Sequence, residues 1–167
     1  MKTRSGVPAI PVAVVAWTQG WSSSASDERV TGYVRARPST QSAYSSTAAR
    51  SFMHRRLWLN DPDCLMLHSA ATHLEPAQAL TWARAVGVSG GMALVSDDLS
   101  LLDASSRVLL DECLEIGRAS DDAARAGAAA VVPDLMEAPI ATTMEAAGYC
   151  LVVDPVLGTS ELTRSVS

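Results

Sequence analysis

Short apolar runs of strand length alternate three times with stretches of helical periodicity between Val12 and Gly117, and this alternation restricts the fold more than any other feature. The first run, VAVVAW (12–17), is β-branched and passes into a polar, Ser-rich stretch from Thr18 to Glu28, which reads as strand then loop. Pro38 and Ser39 supply a helix-start signal. Tyr44, Ala48 and Phe52, with Ala49, Met53 and Leu57 on the adjoining row, predict an amphipathic helix of about five turns from Ser39 to Trp58. Pro62 ends that reading, and CLMLH (64–68) predicts a second strand. Pro76 suits a first helical turn, and Leu80, Ala83 and Val86 carry a helix to the terminator Ser89-Gly90-Gly91. Met92 to Val95 predicts a third strand, running into Ser96, Asp97 and Asp98. Asp103 is an expected N-cap for a helix that buries Leu109, Cys113 and Ile116 and is expected to close at Gly117.

Such alternation predicts βαβ units with right-handed crossovers and a parallel sheet, an α/β fold. A complete (β/α)8 barrel typically takes about 250 residues and rarely fewer than about 200, so the 167 residues have room only for part of one. After Gly127 the rhythm is lost. Val131 to Pro133, Pro139 and the strand-like Tyr149 to Val153 suggest a linker and an isolated β segment without an evident partner sheet. The expected organisation is therefore a partly built α/β domain over 1–127 and the start of a β-rich domain over 128–167.

Thirteen Lys and Arg against eighteen Asp and Glu give a net charge of −5, the wrong sign for a phosphate-backbone binder, so nucleic acid is not an expected partner. Cys64, Cys113 and Cys150 are an odd set with no metal-ligand spacing. They predict reduced thiols and a cytoplasmic location, with export the alternative because Lys2, Arg4 and the apolar run to Trp17 imitate a signal segment. Pro8 and Pro11 oppose the helix such a segment prefers. No run of about 18 apolar residues occurs, so no membrane span is expected. His54, His68 and His73 fit no metal-binding pattern, and no metal or cofactor is expected. His54 reads as a helix-face residue among Arg50, Arg55 and Arg56, whose charges either pair with aspartates or remain solvated. The glycines of SGGM stop a helix and do not cradle phosphate.

The segment WLNDPDC (58–64) clusters an amide and two carboxylates before an apolar strand. Asn60 and Asp61 before a proline are ordinary turn formers. The longer context adds a helix, Gly-Gly, a second apolar strand and the carboxylate pair of SDDL (96–99). Together, RSFMHRRLWLNDPDCLMLH and LTWARAVGVSGGMALVSDDLSLLD resemble the late catalytic barrel of the melibiase-type α-galactosidases of glycoside hydrolase clan D, over about residues 39 to 127 and more weakly to Ser160.

This resemblance implies a partial (β/α)8 barrel, about its last three strand-helix units, with an extended C-terminal tail. The seventh and eighth barrel strands would be Cys64 to His68 and Met92 to Ser96, and GVPAIPVAVVAW (6–17) resembles the sixth. The implied activity is retaining hydrolysis of terminal α-galactosides, with one carboxylate as nucleophile and another as acid/base. Trp58, Asn60, Asp61, Asp63, Cys64, Asp97 and Asp98 are the implied substrate-binding residues; Cys64 stands where relatives often carry Met beside the sugar. As bare residues Asp97 and Asp98 equally suit capping of the next segment. The family nucleophile lies in a KxD segment at the end of the fourth strand, expected to be absent here. The acid/base follows the sixth strand in an R-x-x-x-D pattern; Asp27 is the candidate, although Ser23 replaces the arginine and Asp27 falls about three positions late. The implied ligand is galactose or an α-galactoside. An open sector leaves apolar sheet edges uncovered, so a missing barrel half, self-association or a rearranged core is expected.

Overall fold

The computed structural model describes residues 39–67, 74–138 and 140–165. The expected first strand (12–17), Asp27, His68 and His73 lie outside the described residues. The elements are, in order, α1 (Thr40–Arg50), a single 3₁₀ turn (Ser51–Met53), β1 (Cys64–Leu65), α2 (Pro76–Ser89), β2 (Leu94–Val95), α3 (Ala104–Arg125), β3 (Thr143–Ala146), β4 (Tyr149–Asp154) and β5 (Thr159–Arg164). They make a mixed α/β fold with two small sheets. Among the described residues neither sheet closes into a barrel.

α1 begins as expected, with the Ser39 hydroxyl accepting from the Ser42 N–H. It ends earlier than the five-turn expectation, after 11 residues. The His54 N–H turns back to the Ser51 carbonyl, and the Arg50 carbonyl that would have received it in a continuing helix is taken by the Asn60 side-chain amide at 2.8 Å. Arg55 then adopts a left-handed φ of 61°, turning the chain toward β1.

α2 is the centre of the molecule. Glu75 and Gln78 form a reciprocal capping box, Pro76 occupies the first turn, and Gly90 closes the helix at φ 70°. Most of its circumference is buried, including Trp82, Ala83, Ala85, Val86 and Val88, because α1, α3 and the second sheet all pack against it. The Trp82 indole N–H donates to the Cys64 carbonyl at 3.0 Å, satisfying its one polar atom and fixing β1 to the helix.

β1 and β2 pair in parallel, Cys64 opposite Leu94 and Leu65 opposite Val95, with α2 as the crossover. Each strand is two residues long, shorter than the apolar runs suggested. Asp103 caps α3 by accepting from the Ser106 N–H. The expected stop at Gly117 is corrected: α3 continues to Arg125 and ends before Gly127, whose φ is 94°. Gly117 instead lies where α3 crosses α2. A Cβ there would meet Gly87 at 3.8 Å, and one on Gly87 would come within 3.1 Å of Ile116, so the glycine pair serves close helix approach.

The tail is a three-stranded antiparallel meander, β3-β4-β5, so Tyr149 to Val153 is not an isolated segment. Ala147 and Gly148, at φ 51° and 79°, make the tight hairpin turn between β3 and β4. Met144, Leu151 and Val153 face inward and join Trp82, Tyr44 and Leu65 in one hydrophobic core, which therefore runs across the compositional change near residue 127. Among the described residues no helix is long and apolar enough to cross a membrane.

Among the described glycines Gly91 makes the closest approach, because a Cβ added there would stand 2.6 Å from the Asn60 carbonyl oxygen. Gly91→Ala is expected to cost about 1–3 kcal/mol by forcing that backbone apart. Urea denaturation of the two proteins measures it; an unchanged midpoint would remove this contact as a constraint.

Candidate functional site

The WLNDPDC segment forms the turn that delivers the chain into β1, and nearly every polar atom in it has a local task. Asn60 is buried. Its side-chain amide donates to Arg50, its Oδ1 accepts from the Trp58 indole N–H at 2.8 Å, its N–H donates to His54 Nδ1 at 3.1 Å, and its carbonyl accepts from the Met92 N–H at 2.8 Å. Asp61, exposed, accepts from the Asp63 N–H at 3.0 Å, the turn geometry an Asx residue favours. Asp63 has a left-handed φ of 92° and accepts from the Cys64 N–H at 2.7 Å. A non-glycine residue in that region holds backbone strain, tolerated here because Pro62 and β1 fix both sides. Trp58 leaves its ring half exposed.

Asp97 and Asp98 follow β2. Asp97 accepts from the Leu67 N–H, tying the far ends of the two strands together, and the Ser96 hydroxyl and N–H both reach the Leu65 carbonyl at 3.1 Å. Asp98, exposed, accepts from the Ser100 N–H and hydroxyl, which hold its carboxyl below the usual carboxylate range. Because β1 and β2 are parallel, Asn60, Asp61 and Asp63 stand where the pair begins and Asp97 and Asp98 where it ends. Five residues of extended chain from Met92 to Asp97 span about 16 Å. The structure thus brings Trp58, Asn60, Asp61 and Asp63 together and Asp97 with Asp98, as two groups at opposite ends of the strands. Cys64 opens β1 between them. Asp27 lies outside the described residues.

A centre that the sequence reading missed lies beside the first group. Asp121, on α3, accepts from Arg55 through Nε at 2.7 Å and Nη2 at 2.9 Å, from His54 Nε2 at 3.1 Å, and from Arg125 Nε at 3.1 Å. The two arginines and the histidine donor hold its carboxyl well below the usual carboxylate value of 3.8, the Arg55 hydrogen bonds foremost. His54 is 2% exposed and has both ring nitrogens occupied: Nδ1 accepts from Asn60, which assigns the proton to Nε2, facing Asp121. The histidine is a structural relay between β1 and α3, with no nitrogen left for proton transfer to a substrate. The (i, i+4) Asp121/Arg125 spacing was the only local signal for this centre.

Between the end of α2 and the middle of α3 is a cleft of about 250 Å³, walled by Leu59, Val86, Met92, Ala93 and Leu114 and by the backbone of Gly87, Gly90, Gly91 and Gly117. Its rim carries His54, Arg55, Arg118 and Asp121. A second hollow of about 310 Å³ lies between the first turns of α2 and α3, near Leu67, Asp103 and Ser106.

All three cysteines are free. Burial, then the neighbouring Asp63 charge, raises the Cys64 thiol, and burial pushes the Cys113 thiol up to about 12, so neither is an activated nucleophile near neutral pH. Among the described residues no cluster of three or more His, Cys, Asp or Glu could hold a metal ion. No family model matches the chain.

The Asp121 centre gives the fold an acid-sensitive joint. Its carboxyl is depressed in the folded state, so its contribution to stability is complete above the unfolded value near 3.8 and drains away as the pH falls below that value. Asp121→Asn is expected to cost about 2 kcal/mol at neutral pH. The gap between wild type and variant, followed by urea denaturation, should narrow steadily below about pH 4. A gap that stayed constant into strong acid would refute the assignment.

Proposed function

We propose that the chain is the closing sector of an α-galactosidase-type (β/α)8 barrel, supplying sugar-pocket residues but not cleaving a glycosidic bond by itself. The observation that carries this reading is the parallel β1–α2–β2 unit followed by α3, which places the two motifs of the resemblance on adjacent strands. It also leaves Asp97 and Asp98 just past a strand's C-terminal end, where barrel enzymes build their sites, while Trp58, Asn60, Asp61 and Asp63 stand at the opposite end and do not join them in one pocket. Retaining hydrolysis needs two carboxylates about 5–5.5 Å apart on opposite sides of the scissile bond. The sole lysine is Lys2, in MKTRSG, so the 167 residues contain no lysine-x-aspartate segment to supply the nucleophile. Asp27 remains the acid/base candidate.

The open edge of the small sheet fits the same reading. Leu57, Trp58 and Leu59 before β1, and Met92 and Leu94 along β2, are all at least 40% exposed. Apolar residues in such a row are normally covered, here by further barrel strands or by a second copy of the chain.

A second reading, a non-catalytic remnant that binds a sugar or a protein partner through this surface, is favoured by the spent hydrogen-bonding capacity of Asn60. Its Oδ1 and one of its two side-chain N–H groups already serve the turn, and the residue is buried, which leaves it little to orient a sugar hydroxyl.

The purified chain is expected to release no aryl group from an aryl α-galactoside. Turnover at ordinary enzyme rates, abolished by Asp63→Ala or Asp27→Ala, would overturn the proposal of incompleteness. Galactose titration followed by tryptophan fluorescence tests whether this surface takes a sugar at all. A saturable change that disappears in Trp58→Phe supports a sugar-binding surface, and a flat response supports the remnant that binds a protein partner.

A further inference from the structure

The cleft between α2 and α3 differs from the strand-end site in both chemistry and place. It lies beside the start of β2, and its walls are apolar: Val86 from α2, Leu114 from α3, and Leu59 and Met92 from the two strand approaches. The space exists because glycines occupy the α2–α3 crossing and the α2 terminus, so no side chain from those positions fills it.

Its charged rim is unbalanced. Arg55 and Asp121 are bound to one another through two short hydrogen bonds, and His54 is fully engaged between Asn60 and Asp121. Arg118, two turns before Arg125 on α3, makes no hydrogen bond or ion pair among the described residues and lines the same cleft. A guanidinium with no hydrogen-bonded partner beside apolar walls is complementary to an anion carrying an apolar body, and a planar carboxylate matches its paired N–H donors. Ligand pockets typically run about 300–1,000 Å³, so a cleft of about 250 Å³ limits the ligand to a small one. Cys113 at the cleft floor, its thiol held protonated by burial, adds no competing negative charge.

We propose that this cleft binds a small aliphatic or aromatic carboxylate, its apolar body against Val86, Leu114 and Met92 and its carboxylate on Arg118. The proposal needs no missing barrel segment, and it shares Leu59 and Met92 with the exposed row beside β1 and β2.

Hexanoate is the probe, with hexan-1-ol as its uncharged counterpart, titrated into the full 167-residue chain and followed through the amide NMR shifts of Gly87, Ala93 and Gly117. Hexanoate is expected to bind saturably with a Kd of about 1 mM, a value suited to so few heavy atoms. Arg118→Gln, an exposed substitution that leaves the Asp121 centre intact, should weaken it at least tenfold, and Arg118→Lys, which keeps the charge but not the paired donors, should weaken it less than Arg118→Gln. Hexan-1-ol should bind at least tenfold more weakly than hexanoate. Three results would each overturn the proposal: no saturable shift in the wild-type chain, equal binding to Arg118→Gln, or equal binding of the alcohol.

Discussion

Asn60 joins four parts of the chain at one buried point, and the arrangement of the α/β half depends on it. Its side chain stops α1 by taking the Arg50 carbonyl, its N–H fixes the His54 ring, and its carbonyl receives Met92 and so sets the register of β2 against β1. The hydrogen bonds are individually worth about 1 kcal/mol net, but each satisfies a buried group whose abandonment would cost more. Through His54 the same point reaches Asp121, so α3 is tied to the turn before β1 by a relay of a backbone amide, an imidazole and a carboxylate. Gly91 is the corollary: only a residue without Cβ lets the chain pass the Asn60 carbonyl closely enough for Met92 to bond to it.

This explains why NDPD is a dense motif without being an open site. Asn60 organises the turn, Asp61 and Asp63 cap successive backbone N–H groups, and Pro62 is buried between them. A set of polar residues selected for a turn and one selected for a ligand share the same composition, because both need short side chains carrying several acceptors. Burial and partner count distinguish them. By that measure the Asn60 amide is committed, while Asp61, Asp98 and the Trp58 ring remain open to solvent. Asp98 stands at the opposite end of the strands from Asp61 and Trp58, so a single sugar pocket would draw on one of these groups and not on both.

The parts of the fold legible in the sequence are those decided within a few residues. Ser39, Pro76, Gly90 and Asp103 act through their own first or last helical turn, and each does what its local chemistry dictates. The alternation of strand and helix likewise revealed the parallel β1–α2–β2 pair. What escaped was decided at long range. The apolar row through Leu57 suggested a longer α1, but Asn60 captures the helix end and leaves Phe52 and Leu57 exposed. Gly117 looked like a stop because its partner Gly87 is thirty positions away. β3 and β5 are Thr- and Glu-containing strands with only one well-buried face or none, so they lack the apolar run that betrayed β4. The Asp121 centre combines residues 54, 55 and 121, a separation that no local pattern encodes.

The two sheets meet opposite fates because of what covers them. The meander is anchored on α2: Met144, Leu151 and Val153 are buried in the common core, and the Thr81 hydroxyl donates to the Ser160 hydroxyl at 2.9 Å across the interface. Among the described residues the parallel pair has helices on one side only. Leu65 is fully buried, whereas Leu94, directly bonded to its neighbouring strand, is 46% exposed. A two-stranded ribbon has little stability of its own, so β1 and β2 persist through the Trp82, Asn60 and Asp97 hydrogen bonds at their margins and through the packing of Leu65. That distribution of support leaves β2 as the side on which further strands could add without disturbing the core. The barrel reading and the partner-binding reading both require the same unfilled place beside Met92 and Leu94, and they differ only in whether strands that complete a cylinder or an unrelated surface fills it.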